Sequence, residues 1–329
     1  SITSSAMGFE AANVNPARFA FSKPSYNLFQ LSNAVNNNLI SLDIYNRLNG
    51  SVMYEEDADI TQSEFIDYIG IRDLKMATNM NLNIPFINFN NLQYAIHWKL
   101  SEFINAKMGN ELLLLAFEGN EWGKEISFDL NFKSVFIGEY GISWWTKNAP
   151  ISVGTTIKYL QGLSYLHFYP DDLNEPLFTD TSGVNLSAVY RLDQYPGGSG
   201  FAIDFGLATE DENRGWSFGI SAINLFGFLK WDTHNLTNSL LGKSISDMLP
   251  LDGYQAKLTN LNILNLTADN FLSGESGISD SVISQDSSLI SLEQSPLKMD
   301  YPSMFRLGAT KKMGSDFTVS YDVRTGFRD

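Results

Sequence analysis

The sequence contains no cysteine among its 329 residues. Disulfides, thiolate metal sites and a cysteine nucleophile are therefore excluded. Basic residues are also scarce: 22 Lys and Arg stand against 37 Asp and Glu, which gives a formal net charge of −15. Because lysine and arginine drive binding to phosphates, this balance argues against a nucleic-acid partner. No stretch approaches the length of apolar sequence that a transmembrane helix needs.

The N-terminus, Ser1 to Ser5, lacks the basic and apolar regions of a signal peptide. Either the protein is soluble, or it is a mature chain from which a signal peptide has been removed. With 43% hydrophobic and 18% charged residues, the composition is that of a folded chain. The period of the hydrophobic pattern separates the two cases.

Apolar residues recur at every second position along most of the chain after residue 76. A period of two is that of a β-strand whose two faces meet different surroundings. The clearest segments are 76–84, 92–101, 125–133, 151–159, 184–193, 200–207, 216–222 and 316–324. Weaker segments at 25–33, 139–145, 162–169, 226–231 and 303–311 bring the total to about a dozen strands, so the sequence predicts an all-β fold.

The length and polarity of these segments favour a membrane barrel. Strands of soluble sandwiches are usually about 5–6 residues long, whereas a tilted strand that crosses a bilayer needs about 9–11. The polar faces carry Gly, Ser, Asn, Thr and charges of both signs, as the lumen of a barrel does. We therefore expect a transmembrane antiparallel β-barrel in a bacterial outer membrane, with its apolar face against lipid. A soluble sandwich is the alternative.

Three segments break the period of two. Thr61 to Glu64 has the spacing of a capping box and predicts a short helix. A second short helix is expected from Lys107 to Phe117, ending near Gly119. The third segment, about 232–298, is rich in serine and carboxylates and is expected to be a long extracellular loop, since outer-membrane barrels have short periplasmic turns and longer outer loops.

The N-terminal pattern resembles a known family. Ala6-Met7-Gly8-Phe9 followed by Asn15-Pro16-Ala17-Arg18 resembles the signature of FadL-like outer-membrane barrels, relatives of the long-chain fatty acid transporter. The stretches 153–162, 197–206 and 218–227 resemble an uncharacterised branch of that superfamily from Bacteroidetes-type bacteria. The resemblance implies a barrel of about 14 strands, with about 12 in this chain, and an N-terminal hatch, residues 1–24, inside residues 25–329. It also implies further C-terminal strands after Asp329.

Charged residues on the polar strand faces are the candidates for the lumen. If the alternation is right, ten of them point inward: Lys99, Asp129, Lys133, Lys158, Arg191, Asp193, Asp204, Arg306, Asp322 and Arg324. In the hatch, Asn15 and Arg18 are the expected partners, because Pro16 keeps its neighbours extended. Two interpretations stay open: these groups fill the interior by pairing, or they contact a solute.

Enzymatic signals are weak. Gly215 to Gly219 matches the G-x-S-x-G pattern, but that motif needs a strand, a sharp turn and a helix, and here it lies within an alternating segment. His97, His167 and His234 share no metal-ligand spacing. The sequence therefore predicts neither an enzyme nor a metal or cofactor site.

Two functions remain for the predicted barrel. The first is porin-like passive transport of a small molecule past the hatch, a hydrophobic one if the resemblance extends to the substrate. The second is a structural or interaction subunit that docks other outer-membrane, surface or secretion proteins through its extracellular loops. A soluble lectin-like sandwich is the third and weakest option.

Overall fold

A computed structural model describes the chain in segments. They are residues 3–8, 10–49, 60–84, 89–90, 93–119, 123–127, 129–148, 150–172, 176–180, 183–185, 188–211, 215–231, 254–261, 288–292, 295–313 and 317–326. Among these residues, no helix has the length and apolar character needed to cross a membrane.

Within the described residues, the helical elements are short and lie in the N-terminal half. They are α1 Glu10–Val14, the 3-10 helix η1 Pro16–Phe21, α2 Leu42–Leu48, α3 Gln62–Ile69 and α4 Asn110–Glu118. The predicted capping box is present: the Thr61 hydroxyl accepts from the Glu64 amide and the Glu64 carboxylate accepts from the Thr61 amide. The second predicted helix begins later than expected, at Asn110, because Lys107 belongs to a strand.

Strands account for most of the described chain. They are β1 Ser25–Tyr26, β2 Gln30–Asn37, β3 Leu74–Asn83, β4 Phe89–Asn90, β5 Tyr94–Met108, β6 Glu125–Ile126, β7 Leu130–Asn148, β8 Ile151–Pro170, β9 Leu177–Asp180, β10 Gly183–Asn185, β11 Ala188–Tyr195, β12 Gly198–Asp211, β13 Trp216–Trp231, β14 Tyr254–Leu261, β15 Ser288–Leu292, β16 Leu297–Asp300, β17 Met304–Met313 and β18 Phe317–Thr325. The prediction of an all-β fold is confirmed.

Most strands form one strongly curled antiparallel sheet shaped like half a barrel. Its long strands are paired in the order β2-β3-β5-β7-β8-β12-β13-β17-β18, and every neighbouring pair is antiparallel. Among the described strands, β2 pairs with β3 alone and β18 with β17 alone. Because this path alternates in direction through nine strands, the two edge strands run the same way.

The two ends of the curled sheet differ in their connections. At one end, which we call the turn end, short connections join β7 to β8, β12 to β13 and β17 to β18. At the opposite end, the loop end, connections are long and include α2, α3 and α4. These helices share a buried apolar cluster that contains Ile44, Phe65, Ile69 and Leu113. The helices therefore form a small body of their own at the loop end.

The sheet is apolar outside and polar inside. The outward positions of β12 and β13, such as Phe205, Leu207 and Ile220, are 47–53% exposed. The inward positions between them are buried and mostly small or polar. Buried inward polar residues include Ser143, Ser152, Thr156, Lys158, Asp204, Ser217, Ser221, Arg306 and Thr310. The alternation read from the sequence is thus present, with the polar side facing the inside of the curl.

Several strands are longer than their sequence patterns suggested. The patterns at 151–159 and 162–169 belong to one strand, β8, and those at 216–222 and 226–231 belong to β13. Within β13, Asn224 and Phe226 have φ angles of 56° and 55°. These residues interrupt the alternation locally without ending the strand, and the same parity is buried before them, at Ser217 and Ser221, and after them, at Leu229 and Trp231.

Two predicted segments differ from the structure. The segment 125–133 is not one strand, because Glu125–Ile126 pairs with β9 in a separate three-stranded sheet and β7 begins at Leu130; Phe128 lies outside the described residues. The segment 232–298 is not purely a loop, since β14 pairs with β11 and β15, and β16 pairs with β13. The rest of that segment lies outside the described residues.

Candidate functional site

The inner face of the curled sheet, together with the hatch that lies on it, is the candidate functional site. Its first layer, toward the turn end, is the hatch itself. Asn15 caps η1, because its Oδ1 accepts from Ala17 N at 3.1 Å and Pro16 takes the first helical position. The Asn-Pro-Ala run of the sequence therefore encodes a sharp, self-capped turn in the hatch.

Glycines on the inner face allow the hatch to approach the sheet closely. A Cβ at Gly154 would lie 2.4 Å from Ala17 N, and one at Gly206 would lie 2.0 Å from Asn15 Oδ1. On the next strands, a Cβ at Gly219 would lie 2.3 Å from Thr3 O. Cβ atoms do not occur at such distances, so these inward positions require glycine where the hatch backbone passes over them.

Hydrogen bonds fix the hatch to four consecutive strands. On β8 and β12, Ser152 Oγ donates to Ala17 O at 2.9 Å and Asn15 Nδ2 donates to Leu207 O at 2.9 Å. On β13, Ser221 Oγ donates to Val14 O at 2.6 Å. On β17, the hydroxyls of Ser4 and Thr310 are 2.7 Å apart. The inward serines and threonines thus satisfy backbone carbonyls and hydroxyls of the hatch.

Arg18 anchors the other end of η1. Its guanidinium is almost fully buried and lies 3.4 Å from the Glu210 carboxylate on β12. It also stacks over the Phe21 ring, with 4.9 Å between the guanidinium carbon and the ring centroid. Both hatch residues singled out in the sequence, Asn15 and Arg18, therefore contact the sheet directly.

The second layer is a buried network of charged groups above the hatch. Lys158 Nζ lies 2.8 Å from Asp204 Oδ2 and 3.6 Å from Glu139 Oε2, and Lys99 Nζ lies 2.6 Å from Glu139 Oε1. Asp204 also accepts from Asn224 N at 2.7 Å. Two cations face two anions, so these four groups balance in charge.

The third layer, toward the loop end, is apolar and aromatic. Tyr165, Tyr195, Trp231 and Leu160 are buried here together with Tyr301. The Tyr301 hydroxyl donates to Glu139 Oε1 at 2.9 Å, which joins this layer to the charged one. The inner face is therefore occupied in succession by the hatch, the ion-pair network and an aromatic cluster.

The structure brings five of the predicted lumen charges close to the hatch or the network and places two elsewhere. Lys99, Lys158, Asp204 and Arg306 lie inside the curl, and Asp322 accepts from Thr3 N of the hatch at 2.9 Å. Asp129 precedes β7 and pairs with Lys107 at 2.5 Å near the loop end, partly exposed, so its predicted place on an inward strand face was wrong. Arg191 pairs with Asp171 at the loop-end rim and its side chain is 44% exposed.

His97 and Arg306 are among the inward groups with incomplete hydrogen bonding in the described structure. His97 is buried with both ring nitrogens unpartnered, and it occupies the space over Gly141, where a Cβ would lie 2.0 Å from its Nε2. Arg306 is 7% exposed and its Nε has no partner. Ser217 lies inside β13, so the strand-turn-helix that a G-x-S-x-G nucleophile requires is not formed there.

Sequence reasoning missed the carboxylates that hold the site together. Glu139 accepts hydrogen bonds from the Ser101 and Tyr301 side chains and forms ion pairs with Lys99 and Lys158, and it was not among the predicted residues. Glu139 lies two residues before Gly141, so both residues face inward. This parity is the sequence signal that could have identified Glu139. Glu210, the partner of Arg18, lies at the end of a clear alternation and has the same inward parity as Asp204.

The described residues contain no group of three or more potential metal ligands. No curated protein and no solved structure matches the chain. A family model does match it, over residues 12–188, which span part of the hatch and the strands through the start of β11. Because this match covers more than half of the chain, the protein belongs to the family of unknown function DUF5723.

Proposed function

We propose that the protein is an outer-membrane β-barrel protein that admits a small molecule when its hatch moves. The observation that carries this proposal is the inverted polarity of the sheet, whose outward side chains are large, apolar and exposed while its inward polar side chains are buried. A soluble sandwich would instead pack the apolar face on a second sheet. The polarity suits a wall between lipid outside and a polar interior inside.

Three further features support a place in a bacterial outer membrane. The sheet curls as a barrel wall does, and its strands of up to 20 residues exceed the length needed to cross a bilayer. Its connections are short at one end and long at the other, the asymmetry of outer-membrane barrels. The resemblance of the hatch motif to FadL-like transporters agrees with the contact between Asn15-Pro16-Ala17 and the inner face.

The hatch is the element that must move for a molecule to pass. It is held by single hydrogen bonds to separate strands, by one ion pair to β12 and by the packing of Phe19 on Trp145, whereas the layers above it are side chains of the wall itself. The polar part of the cost of displacing it is thus spread over separate contacts, each worth about 1 kcal/mol net. We expect movement of the hatch to be the step that controls passage.

A disulfide that locks the hatch tests this proposal. The Ser4 and Thr310 hydroxyl oxygens are 2.7 Å apart, so cysteines at both positions bring two sulfurs within bonding reach in a chain with no other cysteine. The variant is expressed with an export signal in a Gram-negative host, and entry of the hydrophobic dye N-phenylnaphthylamine is followed. We expect entry to fall several-fold when the disulfide is oxidised and to recover with reductant. The single-cysteine variants are the controls.

Equal dye entry in oxidised, reduced and empty-host cells would contradict transport. That result would favour the second candidate, a docking subunit, which one observation supports. At the loop end, Leu42, Tyr45 and Ile71 expose 76%, 55% and 93% of their surface. The double substitution Leu42→Ser and Tyr45→Ser would then abolish co-purification of surface proteins, whereas the disulfide that holds the hatch would leave it unchanged.

A further inference from the structure

Arg306 stands apart from the other buried charges of the inner face. It lies on β17 and is 7% exposed, its Nε has no hydrogen-bond partner, and no carboxylate of the described residues lies within ion-pair distance of it. A guanidinium offers five donors and does not lose its charge in proteins. Burying its Nε without an acceptor is costly, and no described carboxylate is close enough to pair with it, so the position favours an added anion.

The residues next to Arg306 make an anion beside its guanidinium more favourable. On β18 the residue directly opposite is Arg324, which is exposed, and on β13 it is Ser221, whose hydroxyl already donates to Val14 O. Side chains directly opposite each other on one face have Cβ atoms about 4.5–5.5 Å apart, and like charges there repel. The carboxylate of Asp322, two residues before Arg324, attracts Arg306 electrostatically but lies beyond ion-pair distance from it, and it accepts from Thr3 N at 2.9 Å.

A second unpartnered donor lies beside this pair on the hatch. The Thr3 hydroxyl is buried and has no hydrogen-bond partner. Thr3 packs on Gly308, the next inward position along β17, where a Cβ would lie 3.0 Å from Thr3 Cβ. A buried donor of the wall and one of the hatch therefore lie at consecutive inward positions along β17, with the exposed Arg324 on the side toward the sheet edge.

We infer that this part of the inner face binds an oxyanion, a carboxylate or a phosphate-type group, between Arg306, Arg324 and the Thr3 hydroxyl. Planar or tetrahedral oxyanions accept paired hydrogen bonds from guanidinium groups, and an arginine pair neutralised by one anion loses its mutual repulsion. The bound group touches both wall and hatch. The inference deepens the proposed function by naming an oxyanion as the recognised part of the solute, although binding itself requires no transport.

Thermal unfolding of the full chain in a non-ionic detergent and a zwitterionic buffer tests the site. We expect Tm to rise saturably with sodium phosphate or acetate, beyond the effect of sodium chloride at equal ionic strength, because an anion that binds only the folded state stabilises it. Arg306→Gln should weaken this response by roughly tenfold or more. Arg47→Gln, on α2 at the loop end, is the matched control and should respond as the parent does.

Decanoate and decyl phosphate distinguish the source of the anion. If they saturate the Tm shift at lower concentrations than acetate and phosphate do, the oxyanion is the head group of an amphiphile. If the short and long anions saturate alike, it is a free anion. An equal response to chloride, or an unchanged response in Arg306→Gln, overturns the site.

Unfolding in anion-free buffer gives an independent readout. Without a ligand, Arg306→Gln removes an unpaired buried charge and should leave Tm unchanged or raised. A large fall in Tm would show that Arg306 has a protein partner and would overturn the inference. Because these measurements need neither lipid nor transport, a chain that binds oxyanions but fails the dye-entry test would contradict the proposed function alone.

Discussion

Replacing Lys158 with Met should destabilise the protein more than any exposed charge change. The side chain is about the same length, but its loss leaves two buried carboxylates less well compensated: Asp204 keeps only the Asn224 amide, and Glu139 keeps Lys99. Removing one partner of a buried pair typically costs about 3–5 kcal/mol. Because Asp204 is fully buried and Lys158 is its nearest cation, we expect a loss within this range.

The free energy of unfolding in urea, measured on refolded protein in detergent, checks the prediction for Lys158. The exposed pair of Arg47 and Glu64, 39% and 60% exposed, provides the control: Arg47→Met should cost at most about 1 kcal/mol. Adding Asp204→Asn to Lys158→Met removes the orphaned charge and should recover part of the loss. A cost below about 1 kcal/mol for Lys158→Met would refute the buried network as a stabilising element.

Three further predictions concern the hatch, the outer face and the loop-end helices. Gly154→Ala places a Cβ 2.4 Å from the hatch backbone, so it should lower the free energy of unfolding by about 1–3 kcal/mol and speed proteolysis of the hatch. Gly138→Ala is the control, because its Cβ has its nearest contact at 3.5 Å and should change neither quantity. Phe205→Arg on the outer face should lower the free energy of unfolding in bilayers by about 2–4 kcal/mol if the residue lies near the midplane. Leu42→Arg at the loop end should change it very little. Equal losses at the two positions would refute the assignment of the outer face to lipid. Bonding to the N-cap amide lowers the pKa of Glu64, so α3 is stabilised above the ordinary carboxyl range and loses this stabilisation as the pH falls through the lowered pKa. The hydrogen-exchange protection of α3, corrected for the intrinsic pH dependence of exchange, should therefore fall on acidification in the parent and stay flat in Glu64→Gln.

The alternation predicted the fold class because each strand separates two unlike surroundings. Where the chain departs from regular β geometry, the pattern is interrupted, and the sequence then suggests two short strands instead of one. Asn224 and Phe226 in β13 are such a place, as is the register shift in β8, where Leu163 is passed over between the partners of Phe136 and Ile137. The residue type of Phe226 does not predict a φ angle in the left-handed region.

The site was predictable in its residue types but not in its pairings. Parity along a strand places Lys158 and Asp204 inside, and this holds in the structure. Which carboxylate meets which lysine depends on the register between strands, which a single sequence does not specify. Glu139 was missed because its segment, 139–145, alternates only weakly, and Asp129 was misplaced because it lies just before β7 begins at Leu130.

Tryptophan fluorescence shows directly which side of the sheet meets lipid. Trp144 and Trp216 lie on the outer face, 43% and 39% exposed, whereas Trp231 is fully buried on the inner side. In variants that keep one of these and replace the other tryptophans with Phe, brominated acyl chains should quench Trp144 and Trp216 strongly and leave Trp231 unaffected. If aqueous iodide quenches Trp144 and Trp216 while brominated lipid does not, the outer face meets water and the protein is not a membrane barrel.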